Sequence, residues 1–334
     1  MKNLVIGAAQ ICGDWNSLEP FVTSCKKNCS NADLVLYLDN SSRFTENKLK
    51  LCGVKVRQIP QKFRDDVINK RWIMFKDFLT THTEYEIIFA TDVRDVVFQG
   101  DIFSTYTEQK NFLAYSTFGY KIKDEPRNVE WIKNNFGEDE VKKIEDNIVA
   151  GASMFYGTYR EIMILCEHIE KFLRPKTDWG DDQAITNYLI YNKILPIEDI
   201  FVSSPENGEF INLDYLGNKF SYLNKKTFEI FGDKFQRLDG GIPKVIHQWN
   251  LLKFPEIIQL VNMAYREEKF HIDKKFTDIP SAVDQMYCLI QRRTWGDDAR
   301  FLQKCILNSS ELSLHTEKLL KLREVLRQNY IFDN

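Results

Sequence analysis

The chain has 334 residues, 43% of them hydrophobic and 28% charged, with a formal net charge of −3 at pH 7. That is enough for one large α/β domain carrying insertions or a helical tail, and it argues against long disorder. No basic stripe accompanies the near-neutral balance, which excludes nucleic acid as a partner, and no apolar run approaches the ~20 residues that span a bilayer.

The N-terminus, MKNLVIGAAQICGDW, has too short an apolar stretch for a signal peptide, and Leu4 to Ala9 reads as a first β-strand. Seven cysteines, an odd number without pairing spacings, suit a reducing compartment, so a cytoplasmic location is expected. Leu18, Phe21, Val22 and Cys25 recur at helical spacing. Asp33 to Asp39 (DLVLYLD) predicts a second strand and Val54 to Ile59 (VKVRQI) a third. Arg64 to Leu79 predicts a helix with Val67, Ile68, Trp72, Phe75 and Leu79 on one stripe, and Glu86 to Ala90 (EIIFA) a fourth strand. Strands alternating with helices in this way predict a parallel, doubly wound sheet, whose ligands sit at the carboxyl ends of the strands.

From about Asn111 the pattern changes. Phe112 to Thr117 and Ile148 to Thr158 (IVAGASMFYGT) predict strands around a charged, partly helical stretch from Lys121 to Asp146. Helices are expected over Tyr159 to Leu173 and Asp181 to Tyr191, and a short strand over Lys244 to Trp249 (KVIHQW). Beyond Pro255 the signals are helical. The expected division is 1–250 as a catalytic domain, with 1–110 as its nucleotide-binding half and 111–250 as its acceptor half, followed by a helical C-terminal extension over 251–334.

The sharpest chemical signal is the run Thr91-Asp92-Val93-Arg94-Asp95-Val96-Val97-Phe98. An acidic pair where a buried strand opens into a loop is costly unless a cation meets it, and hard divalent cations bind carboxylates together with substrate phosphates. The plainer alternative is a turn whose acids cap a helix or pair with Arg94 and Arg64.

The segment IIFATDVRDVVFQGDIF resembles the metal-binding strand of GT-A-fold glycosyltransferases, whose hallmark is Asp-x-Asp. Three later segments resemble the same fold in order. NIVAGASMFYGT is similar to its donor-lining strand, WGDDQAITNYL to the acidic-Gln segment that opens a helix below the acceptor, and PKVIHQW to the strand that supplies a metal-binding histidine. Together they span about three quarters of the chain. The resemblance implies a mostly parallel, Rossmann-like α/β sheet flanked by helices. It implies transfer of a sugar from a nucleoside diphosphate donor, expected to be uridine-based, to a glycan or glycolipid hydroxyl, with transient membrane association open. It implies Mn²⁺ or Mg²⁺ held by Asp92, Asp95 and His247. One departure is that two residues, not one, separate the acids, so Arg94 occupies the usual ligand position and is an alternative source of positive charge on the diphosphate.

The remaining candidates follow from the same resemblance, each beside a plainer role. Asp182 and Asp181 are the catalytic candidates, as general base if the reaction inverts or as the segment that positions donor and acceptor if it retains, beside the plainer role of helix caps. Gln183 is placed to bond the sugar. Gly151 and Ala152 allow close approach of the donor, or a tight strand crossing. Ala8 and Asp39 end the first two strands where the base and ribose would lie, and Arg71 is placed to reach the diphosphate. Trp179 is either a sugar-stacking ring or a buried anchor. A sugar-nucleotide-binding protein without turnover is the main rival. A nucleotidyltransferase is disfavoured, because GAAQICGDW lacks a Gly-rich, Arg-containing loop, and an oxidoreductase, because no G-x-G-x-x-G follows a strand.

Overall fold

The computed structural model describes residues 2–10, 15–39, 41–213, 228–231, 234–237, 239–249, 261, 264 and 265. Seven strands form the central sheet: β1 (Lys2–Ala9), β2 (Ala32–Leu38), β3 (Lys55–Gln58), β4 (Tyr85–Thr91), β6 (Phe112–Lys121), β7 (Ile148–Thr158) and β8 (Asp199–Ser203). β5 (Val96–Phe98), β9 (Phe210–Asn212) and β12 (Val245–His247) make a second sheet of three strands, and β10 (Phe228–Phe231) pairs with β11 (Lys234–Arg237) as a hairpin. The large sheet has the order β3-β2-β1-β4-β7-β6-β8. β7 runs antiparallel to both neighbours, and every other adjacent pair is parallel. The expected mostly parallel α/β sheet is therefore present.

The alternation of side chains along each strand explains why the early strands read as unbroken apolar runs. Leu4, Ile6, Val35, Tyr37, Ile88 and Ala90 pack on one face, with Trp72 and Phe75 of α3 (Val67–Thr81), Leu165 of α6 (Tyr159–Phe172) and Leu189 of α7 (Asp181–Tyr191). Val5, Leu34, Leu36 and Phe89 pack on the other, with Leu18, Phe21 and Cys25 of α1 (Trp15–Asn28). A strand buried on both faces has no polar side to show, as parallel sheets covered by helices require.

The sequence pattern misses or misplaces several elements for physical reasons. α2 (Arg43–Leu51) buries only Thr45 and Leu49, too few for an apolar stripe, and is started by the Ser42 side chain accepting from Thr45 N at 3.2 Å. β3 lies at the edge of the sheet with all four of its residues exposed, so of the 54–59 pattern only the flanking Val54 and Ile59 enter the core. Residues 61–66 form a 3-10 turn after Pro60, so α3 begins at Val67 and not at Arg64. The stretch from 121 to 146 resolves into α4 (Pro126–Phe136) and α5 (Glu138–Ile144). The extension expected over 251–334 falls almost wholly outside the described residues. Among the described residues no helix is long and apolar enough to cross a membrane.

Candidate functional site

β1, β2 and β4 run parallel and end together, with Gly7 beside Thr91 and Ala8 beside Tyr37. The chain leaving β4 at Asp92 turns through Asp95 into β5. β12 lies antiparallel to β5, with His247 opposite Val96, and parallel to β9, with His247 opposite Asn212. This small sheet brings together two acids and a histidine separated by about 150 residues of sequence. His247 Nε2 stands 3.4 Å from Asp92 Oδ2 and 3.5 Å from Asp95 Oδ2, and one ligand atom from each residue lies within 4.8 Å of the others. Gln248, at φ 63°, and Trp249 both turn their backbone N–H onto the Asp95 carbonyl, at 2.6 and 3.4 Å, which fastens the acidic turn to the end of β12.

The imidazole is 3% exposed, and its Nδ1 lies 2.5 Å from Asn212 Oδ1. An amide oxygen only accepts, so Nδ1 is the donor, and in the neutral ring the Nε2 lone pair faces the two carboxylates. Burial opposes a charged imidazole here, but Asp95 and Asp92 outweigh it and raise the pKa to about 9. The site calls for positive charge at Nε2, as a proton or as a metal.

A second cation adjoins this cluster. Arg71, on α3 and buried, donates from Nη1 to Asp92 Oδ1 at 2.5 Å and from Nη2 to Asp182 Oδ2 at 2.8 Å and Ala152 O at 2.7 Å. Asp182 also accepts from Trp72 Nε1 at 3.3 Å, and its backbone N–H donates to Asn69 Oδ1 at 2.9 Å. Burial pushes the Asp182 carboxyl up, against the pull of Arg71, to about 6, so near neutral pH it is mostly ionised. Three carboxylates thus face one guanidinium and one imidazole. With the imidazole neutral, two negative charges are in excess, and one divalent cation cancels them.

The residues singled out from sequence fall into two groups. Arg71, Asp92, Asp95, Ala152, Asp182 and His247 meet in one network. Asp181 points elsewhere: it accepts from Arg174 Nη2 at 2.8 and 2.9 Å, Asn135 Nδ2 at 2.8 Å and Asp178 N at 3.0 Å. Gln183 donates to Asn128 Oδ1 at 2.8 Å. Arg94 reaches to Gln10 O at 3.4 Å, at the end of β1, while Asp92 pairs with Arg71 and not with the Arg94 or Arg64 expected from the turn alone. Ala8 and Asp39, both half-buried, stand at the ends of β1 and β2, and the Asp39 carbonyl accepts from Gln58 Nε2 at 2.5 Å. Gly151 is buried, and a β-carbon on it would lie 2.8 Å from Asn212 Nδ2. Trp179 is 51% exposed and meets Trp131 edge-to-face, with ring centroids 5.1 Å apart. The pattern of FINLD carries no sign of Asn212 as a partner of His247, because only the β9–β12 register creates that contact.

No protein-family model matches the chain, and no curated protein matches it in sequence. Similar solved structures include the bifunctional glycosyltransferase WbbM in its apo form, at 13% identity and TM-score 0.46, covering 77% of this chain and 49% of that one. A galactosyltransferase, LgtC, in complex with donor and acceptor sugar analogues matches at 12% identity and TM-score 0.42, covering 80% and 98%. The apo glycosyltransferase GlyE of Streptococcus pneumoniae TIGR4 matches at 13% identity and TM-score 0.44, covering 91% and 63%. The chain thus spans about half the length of WbbM.

Proposed function

We propose that the chain is a glycosyltransferase that takes a sugar from a nucleoside diphosphate donor, uridine-based in the first instance, to a hydroxyl of a glycan or glycolipid. The observation that carries this reading is the convergence of Asp92, Asp95 and His247 Nε2 at the carboxyl edge of the sheet. The donor set fits a divalent cation. It offers two carboxylates and one imidazole whose Nε2, the lone-pair nitrogen of the neutral ring, faces them, and mixed N/O ligation suits Mn²⁺ better than Ca²⁺, which prefers oxygen alone. When bound, such an ion supplies positive charge to the departing diphosphate.

The protein groups do the rest. Asp92, Asp95 and His247 hold the ion. Arg71 is locked by three acceptors on separate elements and adds a fixed guanidinium beside it, so no reorganisation is required as charge develops. Asp182, 2% exposed and engaged by Arg71 and Trp72, is best read as the residue that positions Arg71. Ala8 and Asp39 are the groups closest to hand for the base and ribose, and Arg94, drawn toward Gln10, supports the same nucleotide end.

Donor hydrolysis in the absence of acceptor tests this reading against a metal-free one. Excess EDTA should stop release of nucleoside diphosphate from UDP-sugars and Mn²⁺ should restore it. Full activity in EDTA, with loss in Arg94→Ala, would transfer the role of the cation to Arg94.

A further inference from the structure

The residues behind His247 form a closed polar set. Ser153 and Gly151 are two apart on β7 and so face the same way, and both face Asn212. Ser153 Oγ donates to Asn212 Oδ1 at 2.9 Å. Asn212 Nδ2 donates to Ser116 Oγ at 2.8 Å and, more weakly, to the Thr117 carbonyl at 3.4 Å. A carbonyl cannot donate, so the nitrogen side of the carboxamide is fixed by Thr117 and its oxygen must face Ser153 and the imidazole. Ser116, Ser153, Asn212 and His247 are at most 7% exposed. At Gly151 any side chain would enter the space of the carboxamide, since a β-carbon would stand 2.8 Å from Nδ2 and 3.1 Å from the Phe118 ring.

This arrangement has one chemical consequence. A neutral imidazole carries a single ring hydrogen. The Asn212 oxygen claims it at Nδ1, and the opposite nitrogen is left with a lone pair on the side of Asp92 and Asp95. The other tautomer would place an N–H at the ligand position and exclude a cation. A buried amide with both ends satisfied also prevents the ring from turning, since any rotation breaks a hydrogen bond that no water can replace.

We infer that Asn212, oriented by Ser153 and given room by Gly151, is the positioning residue that fixes the tautomer and direction of His247 for a divalent cation; this rests on the cation reading above. It gives Gly151 a role in cation binding through Asn212 and joins β7 and β9 to the ion without either contributing a ligand.

The test is Mn²⁺ binding by the full chain, followed by electron paramagnetic resonance with Mn²⁺ alone and with UDP, beside melting temperatures in EDTA. Asn212→Ala should weaken Mn²⁺ about 10–100-fold, and Gly151→Ala should weaken it in the same direction. Ser153→Ala should weaken it less. If Asn212→Ala melts lower in EDTA yet binds Mn²⁺ as tightly as the wild type, the residue serves folding alone and the inference is overturned. Should that variant not fold, Ser153→Ala decides, and unchanged affinity in it overturns the inference equally. A wild-type chain that binds no Mn²⁺ under either condition would overturn the cation reading itself, an outcome distinct from the others.

Discussion

At the scale of single residues, the proposed reading makes His247 the link between metal binding and pH. Without a metal, its imidazole is charged up to about pH 9 because two carboxylates face it. A folded-state pKa raised above the ordinary 6.5 gives a stabilising contribution that is complete below 6.5 and is lost as pH rises toward 9. A cation needs the neutral ring, so the proton competes with it. Apparent Mn²⁺ affinity should therefore increase between pH 6.5 and about 9, with proton release on binding. Calorimetry in buffers of different ionisation enthalpy reads both, and an affinity independent of pH would remove His247 from the ligand set. Asp182 gives a second prediction. If it takes a proton from the acceptor, Asp182→Asn impairs transfer and spares donor hydrolysis. If it positions Arg71, both fall together, and that is the expected result, because the amide cannot hold the guanidinium as the carboxylate does. Parallel kcat measurements for hydrolysis and transfer separate the two.

At the scale of elements, the start of α7 is held by packing as much as by charge. Gly180 has φ 94°, and a β-carbon there would stand 2.4 Å from the Trp131 ring. Gly180→Ala thus meets both a left-handed backbone penalty of roughly 1–2 kcal/mol and a steric overlap. Its melting temperature should fall by at least about 2–4 °C, with the Arg71–Asp182 contact disturbed downstream; an unchanged melting temperature would show that Trp131 yields freely. The elements differ in how legible they were. β1, β2, β4 and β7 declare themselves because burial on both faces demands apolar runs. β5 and β9 have three residues each, too few for any period to register, while β12, equally short, is legible as the apolar core of KVIHQW; these three strands bring Asp95, Asn212 and His247 together. The acids and histidine were legible as chemistry at strand ends. Asn212, Ser153 and Ser116 were not, because their partnership exists only once β9, β7 and β6 are in register. The same limit applies to Asp181 and Asp182. Adjacent on a helix, they point about 100° apart, so one reaches Arg174 and the other Arg71, a distinction the string WGDD does not carry.

At the scale of the whole molecule, β1, β2 and β4 run parallel and end together, and the three-stranded sheet brings Asp95 and His247 against that edge, where the proposed reading places the nucleotide and the cation. Excess negative charge at this junction favours positive charge at Nε2, as a proton or a cation, and on the proposed reading a cation there also draws an anionic ligand beside it. The most direct measurement is thermal melting of the wild type and of Asp95→Ala with a panel of UDP-sugars at millimolar concentration, each with and without Mn²⁺. A ligand at 100 times its Kd adds about 2.7 kcal/mol, a shift easily read. The expected result is a rise in melting temperature that needs both Mn²⁺ and a UDP-sugar and disappears in Asp95→Ala. No shift in the wild type with any nucleoside diphosphate sugar, with or without Mn²⁺, would contradict the proposed function.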